Sequence, residues 1–192
     1  MSHLPVHTID SAPAASQEAL EGARRAFGFV PNLLGVLAAS PAALRAYLRV
    51  GEAFNASSFT DVERQVVLLS VSAEHECQYC MAAHSAAATA AKMPRDVLDA
   101  LRSGESIRDA RLETLRRTTR TLVTSRGRLR EDELAAFLEA GFTTAQLLEV
   151  IAGIAQKTIS NYTNHVAETP LDRPFEKFAW APADVAPETL RS

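Results

Sequence analysis

Residues 74–84 read Glu-His-Glu-Cys-Gln-Tyr-Cys-Met-Ala-Ala-His and contain both cysteines of the chain. Cys77 and Cys80 form a C-x-x-C pair, and His84 follows four residues after the second cysteine. In a helix these positions are i, i+3 and i+7, so the three side chains share one face. A helix start also favours a thiolate, because its unpaired N–H groups and dipole attract negative charge. The stretch therefore predicts two thiols and a base on the surface of one helix.

Two roles without redox chemistry are open to this pair. Free cysteines are often small buried residues with no special reactivity. Together with His84, the thiols could instead provide three ligands of a tetrahedral zinc site, with a fourth ligand from His75, His165 or Glu74. The chain has no second C-x-x-C to complete such a site, and this weakens the zinc interpretation.

A redox role uses all three side chains. One thiolate attacks an electrophile, the other thiol resolves the adduct to a disulfide, and His84 moves the protons. With a pKa of about 6.5, a histidine can accept a thiol proton at neutral pH and return it to a leaving oxygen. The residues alone leave open which cysteine attacks, since a thioredoxin-like order favours the first, whereas Cys80 is closer to His84 along the helix.

Composition limits the class of protein. The 192 residues predict one domain, with an N-terminal extension over residues 1–16 and a C-terminal tail over residues 169–192. The chain has 20 basic and 23 acidic residues and a net charge of −3, so we expect neither nucleic acid nor a membrane as partner. The N-terminus lacks a secretory pattern, and we expect a cytoplasmic protein. In a reducing compartment a lone C-x-x-C is typical of a cycling redox pair or a metal site.

Helix signals recur through the chain after residue 16, and strand patterns are scarce. Capping boxes are predicted at Thr60 to Glu63 and at Thr143 to Gln146. A break near His75 and Glu76 should let a new helix over residues 77–91 fold back on the preceding one. The other predicted helices cover residues 17–27, 41–55, 94–103, 108–125, 130–140 and 143–166. The apolar faces over residues 66–71 and 147–159 are wide, which predicts subunit contacts.

The sequence resembles the AhpD-like, peroxidase-related branch of the carboxymuconolactone decarboxylase family. The resemblance rests on residues 63–72, on the cysteine core over residues 77–84, and on Asn-Tyr-Thr-Asn-His at 161–165. Residues 27–32 and Ser40-Pro41 resemble the longer members of this branch. The likeness extends from about residue 20 to about residue 175. The decarboxylase branch lacks the cysteine pair, so the pair favours the redox branch.

The resemblance implies an all-α, AhpD-like helical bundle that forms a homo-oligomer, either a trimer or a hexamer, and needs no metal or organic cofactor. It implies that Cys80 attacks a hydroperoxide or disulfide substrate, that Cys77 resolves the product, and that His84 relays protons. An external thiol reductant then resets the pair. The alternatives are a disulfide reductase or redox partner with little peroxidase turnover, and a non-enzymatic zinc-binding module.

Four further residues are candidates for support. The resemblance places a relay glutamate at the position of Gln65, which cannot exchange a proton, so we expect a weaker relay and a gain in turnover from Gln65→Glu. Glu74 is a weak relay candidate because a nearby carboxylate raises a thiol pKa. Tyr79 occupies a position that can be histidine. His165 could approach the thiols from another helix, although pairing at its own helix end is favoured, and Asn164 is expected to pack and hydrogen bond.

Overall fold

The structure, a computed structural model, describes residues 4–182. These residues form α-helices and one 3₁₀-helix, and the described part of the chain contains no strand. The helices are α1 (Ala14–Phe27), α2 (Asn32–Leu37), α3 (Pro41–Asn55), α4 (Asp61–Glu74), α5 (Gln78–Ala90), α6 (Arg95–Ser103), α7 (Ala110–Thr124), α8 (Glu131–Glu139), α9 (Thr144–Ala167) and the 3₁₀-helix Arg173–Phe178. The all-α prediction is confirmed. Residues 183–192 of the predicted tail lie outside the described residues.

Local capping fixes the helix boundaries that the sequence predicts. The bounds of α3 are those predicted, and the side chain of Ser40 accepts the N–H of Ala43. Reciprocal capping boxes begin α4 at Thr60 and α9 at Thr143. Each box satisfies N–H groups that a helix start otherwise leaves without partners, which is why these boundaries are readable from a few residues.

Three elements differ from the sequence predictions. Helix α1 begins three residues early, at Ala14, and the hydroxyl of its Ser16 donates to the carbonyl of Ala38. Helix α2 and the 3₁₀-helix were not predicted. Both are six residues long, too short for a helical period to show in the sequence.

Helix α4 is the centre of the larger core. Residues 66–69 and 71 are at most 3% exposed, and α4 packs against α5, α6, α7 and α9. The expectation that the face over residues 66–71 serves subunit contacts is therefore wrong. A helix packed against several others uses its wide apolar surface inside its own chain.

A second core joins the N-terminal helices to the cysteine segment. Leucines from α1, α2 and α3 pack with both cysteines, namely Leu20, Leu33, Leu34, Leu37 and Leu44. The segment before α1 lies along α2, where the N–H of His7 donates to the carbonyl of Gly35. A Cβ at Gly35 would lie 2.7 Å from the His7 carbonyl oxygen, so this close approach requires glycine. The first helices thus form a cover over the cysteine pair.

No single helix within residues 4–182 is long and apolar enough to cross a membrane. By length and composition, one pair of helices, Glu131–Glu139 and Thr144–Ala167, meets that test jointly, with a bend of 109° between them.

Candidate active site

A tight turn between α4 and α5 places the cysteines. Glu76 has a φ of 53°, in the left-handed region. Its N–H donates to the carbonyl of Ala73, and the N–H of Cys77 donates to the carbonyl of Ser72. These are the two hydrogen bonds of a Schellman motif. The predicted break is confirmed at this turn, which leaves Cys77 as the N-cap residue of α5 and Cys80 in its first turn.

Both thiols are buried against α9. Cys77 and Cys80 are free cysteines, and each is 1% exposed. Asn164 Nδ2 lies 3.2 Å from Cys80 Sγ and 3.8 Å from Cys77 Sγ. Ser160 Oγ lies 3.7 Å from Cys80 Sγ. A single side-chain amide therefore contacts both sulfur atoms and donates at the shorter distance to Cys80.

The two thiols differ in acidity. The hydrogen bond that Cys77 donates to Cys80, together with burial, raises the pKa of Cys77. Burial alone would raise the pKa of Cys80 as well. The hydrogen bond from Cys77 and the charge of Lys157 outweigh burial and hold the pKa of Cys80 well below its usual range. These directions favour negative charge on Cys80 and a retained proton on Cys77.

The imidazole of His84 is held between Gln65 and Lys157. His84 Nδ1 lies 3.0 Å from Gln65 Oε1, and His84 Nε2 lies 2.9 Å from Lys157 Nζ. An amide oxygen only accepts and an ammonium group only donates, so the proton of His84 is assigned to Nδ1 and Nε2 accepts. Burial and the charge of Lys157 hold the pKa of His84 well below its usual value. His84 is a neutral base whose accepting nitrogen faces a lysine.

Lys157 is the functional residue that the sequence reasoning missed. Its side chain is fully buried in the middle of α9. Gly153, Lys157, Ser160 and Asn164 recur at intervals of three or four residues and are all buried. This polar stripe in an otherwise apolar helix is the signal that could have located Lys157, because a charged residue is almost never buried without a partner.

Tyr79 points away from the thiols, toward the C-terminal segment. Its hydroxyl donates to a carboxylate oxygen of Asp172 and accepts the N–H of Leu33. The same carboxylate accepts the N–H of Asn32. Burial, and then the hydrogen bond to Asp172, raise the pKa of Tyr79. Tyr79 thus joins α5 to the start of α2 and to the segment before the 3₁₀-helix.

The remaining candidates have other partners. Glu74 forms an ion pair with Arg120 of α7. His165 is exposed in the last turn of α9. His75 Nδ1 lies 3.0 Å from Asn161 Oδ1. The candidate site therefore contains Cys77, Cys80 and His84. Gln65 and Lys157 join it through their contacts with His84. The side chains of Glu74, Tyr79 and His165 are directed elsewhere.

These partners also bear on the zinc interpretation. Within the part of the chain that the structure describes, no group of three or more His, Cys, Asp or Glu side chains is arranged to hold a metal ion. The ligand set considered for zinc is therefore not assembled around Cys77 and Cys80.

Comparison with known proteins agrees with this fold. Residues 41–110 match the model of the carboxymuconolactone decarboxylase family, and this segment contains both cysteines and His84. The fold is similar to that of an alkylhydroperoxidase AhpD core, an uncharacterized peroxidase-related protein from Ralstonia eutropha JMP134, with a TM-score of 0.80, 23% identity, and coverage of 91% of this chain and 94% of that one. The chain therefore has an AhpD-like fold, and its residues 41–110 resemble the carboxymuconolactone decarboxylase family.

Two other solved structures share this fold. A peroxidase-related protein from Silicibacter sp. TM1040 has a TM-score of 0.75 and 20% identity, and the match covers 90% of this chain and 92% of that one. A cysteine-to-alanine variant of the debrominase Bmp8, bound to 2,3,4-tribromopyrrole, has a TM-score of 0.76 and 16% identity, with 93% and 97% covered. No curated protein matches the sequence. At these identities the structures establish the fold alone.

Proposed function

We propose that this AhpD-like protein is a thiol-dependent hydroperoxidase in antioxidant defence. The observation that carries the proposal is the asymmetry of the buried cysteine pair, in which Asn164 and Lys157 stabilise negative charge on Cys80 while Cys77 keeps its proton. A pair with one ready nucleophile and one protonated thiol in reach is suited to attack followed by resolution.

In the first step, the thiolate of Cys80 attacks the terminal oxygen of a hydroperoxide. An S–O bond forms, the O–O bond breaks, and Cys80 is oxidised to a sulfenic acid while the peroxide is reduced to an alkoxide. The alkoxide takes a proton from the polar chain that contains Lys157 and His84 and leaves as an alcohol. Asn164 Oδ1, a buried acceptor without a partner among residues 4–182, is placed beside the thiols to accept the hydroperoxide O–H.

In the second step, Cys77 resolves the sulfenic acid. Cys77 loses its proton to the same polar chain and attacks Cys80 Sγ, so that an S–S bond forms and the S–O bond breaks. The departing hydroxide takes that proton and leaves as water. An external dithiol then donates two electrons and two protons, and this restores both thiols by thiol–disulfide exchange.

The burial of the pair favours small reactants. Attack on a disulfide requires the thiolate and both disulfide sulfurs to lie nearly in line, and a disulfide on a protein surface cannot reach a sulfur that is 1% exposed without local opening. The reacting end of a hydroperoxide is a single terminal oxygen atom, which needs much less space than a disulfide. A small hydroperoxide and a small dithiol are therefore the proposed substrates, ahead of a role as a disulfide reductase or redox partner.

Reduction of hydroperoxide tests this function directly. Purified protein should consume an alkyl hydroperoxide in the presence of a dithiol, and Cys80→Ser should abolish the reaction, since the only attacking sulfur is lost. Cys77→Ser should allow one turnover and then stop. Unchanged turnover in Cys80→Ser would contradict the proposal, and wild-type reduction of a small disulfide without consumption of hydroperoxide would favour the disulfide reductase.

Reductive debromination is a second candidate function. It is favoured by the match with Bmp8, a debrominase. A thiolate beside a proton donor can take a bromine from an electron-rich ring, with the ring carbon gaining the proton and the sulfur becoming a sulfenyl bromide. Attack by Cys77 on that sulfur then forms the disulfide, breaks the S–Br bond and releases bromide, while the proton of Cys77 passes to solvent. Release of bromide from 2,3,4-tribromopyrrole by the wild type, at a rate above that for hydroperoxide, would select this function over the first.

We also propose a homo-oligomer, a trimer or a hexamer, that uses the outer face of α9. Four large apolar side chains on this face are between 47% and 63% exposed, namely Leu148, Ile151, Tyr162 and Val166. They recur at i, i+3, i+14 and i+18 and form a stripe along the full length of the helix. This α9 stripe is a part of the expected apolar excess that residues 4–182 leave uncovered.

A further inference from the structure

Lys157 is a buried cation without a carboxylate partner. Its side chain has no accessible surface, and no Asp or Glu among residues 4–182 forms an ion pair with it. An isolated buried ammonium is costly, and such a group either loses its proton or acquires an anion. The surroundings of Lys157 therefore determine which of these happens.

The helices packed against α9 offer few side chains that could supply the anion. Helix α2 has no titratable side chain. The carboxylates of α4 nearest the site, Glu63 and Glu74, are paired with Arg111 and Arg120 of α7. The remaining titratable groups that face Lys157 are Tyr47 of α3 and, from the α5 segment, Cys77, Cys80 and His84.

Only one of these groups is suited to carry negative charge. Burial raises the pKa of Tyr47, and its hydroxyl remains neutral. Cys77 donates its hydrogen bond to Cys80 and also remains neutral. Cys80 receives hydrogen bonds from Asn164 and from Cys77 and lies in the first turn of α5, where the helix dipole favours an anion. Cys80 is therefore the group that neutralises the lysine.

His84 and Gln65 fix the lysine in this arrangement. Gln65 Oε1 accepts the Nδ1 proton of His84, and this leaves the Nε2 lone pair to accept from Lys157. The neutral Nε2 atom of His84 holds the ammonium group by a hydrogen bond and does not neutralise its charge. A carboxylate in the position of Gln65 would add a second negative charge to the cluster. The charge of Lys157 would then stabilise the Cys80 thiolate less.

We propose that Lys157 is the catalytic cation of the site, which keeps Cys80 as a thiolate and carries the protons of the reaction, and that His84 and Gln65 are positioning residues that hold Lys157. The proton-carrying part of this proposal rests on the proposed hydroperoxidase function, whereas the ion pair does not.

The protons balance through the cycle with Lys157 as their carrier. Its ammonium gives one proton to the departing alkoxide and becomes an amine. The amine accepts the proton of Cys77 as that thiol attacks, and the ammonium then gives it to the departing hydroxide. In the disulfide form the thiolate is gone, and burial leaves Lys157 as a neutral amine. Reduction of the disulfide returns one proton to Cys77 and one to Lys157.

The ultraviolet absorbance of the thiolate, followed against pH in a Cys77→Ser background, tests the ion pair without any substrate. Lys157→Met removes the charge and keeps an apolar stem of similar size. It should raise the pKa of Cys80 by about 1 to 3, the usual effect of a close opposite charge. Lys157→Arg should retain most of the lowered pKa. Lys177→Met, which makes the same change at an exposed lysine, should leave it unchanged.

A second measurement keeps the test decisive if Lys157→Met fails to fold. The chain has three lysines, and carbon-13 labels on their side chains report each ammonium separately by NMR. In the wild type at neutral pH, one lysine should be protonated in the reduced protein and neutral in the disulfide form. An unchanged Cys80 pKa in Lys157→Met would overturn the proposal. So would lysine NMR signals that are the same in the reduced protein and in the disulfide form. A redox-dependent lysine in a protein that consumes no hydroperoxide would instead retain the ion pair and reject the hydroperoxidase.

Discussion

At the scale of single residues, Gln65 contacts His84 and adds no charge to the group formed by His84, Lys157 and Cys80. Its Oε1 orients His84, which burial and the charge of Lys157 keep neutral by lowering its pKa, so that His84 Nε2 accepts from Lys157. The ion pair proposed above leads to the opposite expectation from the sequence, which predicts a weaker relay with an amide at this position. In the presence of a buried lysine, an amide is the side chain that orients the imidazole without adding charge.

Gln65→Glu should slow the protein at neutral pH. The new carboxylate should raise the pKa of Cys80 by about 1, which reduces the thiolate population up to tenfold. Single-turnover rates with hydroperoxide, measured across pH, report both quantities. Gln17→Glu on α1 is the matched control and should leave the pH profile unchanged. A faster reaction in Gln65→Glu would restore the relay expected from the sequence and contradict the ion pair.

Asn164→Leu should lower the rate of attack by Cys80 about tenfold. The change removes the closest hydrogen bond to Cys80 Sγ, and a hydrogen bond to a charged group contributes about 1.5 kcal/mol. Ser160→Ala, which affects the longer contact at 3.7 Å, should have a smaller effect. Rates of sulfenic acid formation, combined with thermal unfolding of each variant, check this order. Equal losses in the two variants would show that Asn164 acts through packing alone.

Three residues of the candidate site could be predicted from the sequence because their spacing is local. Cys77, Cys80 and His84 are close along one helix, and the spacing brings them together whatever the rest of the chain does. Lys157 lies 73 positions after His84, and no local rule connects the two. The contact depends on how α9 packs across α5, so a charged residue in a long apolar helix was the only available sign.

At the scale of elements, the turn between α4 and α5 stores a small amount of strain. Glu76 adopts a left-handed conformation that glycine favours, and its side chain is exposed. The Schellman hydrogen bonds of the turn nevertheless fix the position of Cys77 at the start of α5. The site thus depends on the geometry of this backbone more than on the side chain of Glu76.

Glu76→Gly should stabilise the protein by about 1 kcal/mol, because glycine removes the cost of the left-handed conformation. Urea unfolding should show a higher midpoint, with hydroperoxide turnover unchanged. Glu18→Gly, at an exposed position inside α1, is the control and should destabilise by about 1 kcal/mol. If Glu76→Gly destabilises the protein as Glu18→Gly does, residue 76 does not adopt the left-handed conformation on which the prediction rests.

The helix starts after Ser40, Thr60 and Thr143 could be predicted closely, whereas the short helix α2 could not. Ser40, Thr60 and Thr143 each accept a backbone N–H at their own helix starts, so the information lies within four residues. Helix α2 begins after Pro31 with no side-chain cap. It is stabilised by burial beneath other helices, and this burial exists only once the chain has folded.

At the scale of the whole molecule, the chain covers the faces of α4 and leaves the α9 stripe open. The apolar face over residues 66–71 and the exposed side of α9 look equally wide in the sequence. Their exposure differs because helices α5, α6, α7 and α9 pack around α4, whereas the described residues leave the outer side of α9 in solvent. Hydrophobic periodicity predicts that a face exists and does not predict which neighbour covers it.

Replacement of Leu148 and Val166 together by lysine should dissociate the homo-oligomer. Light scattering after size exclusion should give a multiple of 20.8 kDa for the wild type, and a smaller mass for the double variant. Phe27→Lys, which changes an equally exposed apolar residue on α1, should keep the wild-type mass. A monomeric wild type, or an unchanged mass in the double variant, would contradict the proposed role of the α9 stripe.

Mass spectrometry after brief exposure to hydroperoxide tests the assigned roles of the two cysteines most directly. The wild type should form a disulfide between Cys77 and Cys80, and Cys77→Ser should trap a sulfenic acid on Cys80. Cys80→Ser should remain unoxidised over the same time, because Cys77 stays protonated. Rapid sulfenic acid formation on Cys77 in the Cys80→Ser variant, with none on Cys80 in Cys77→Ser, would contradict the account.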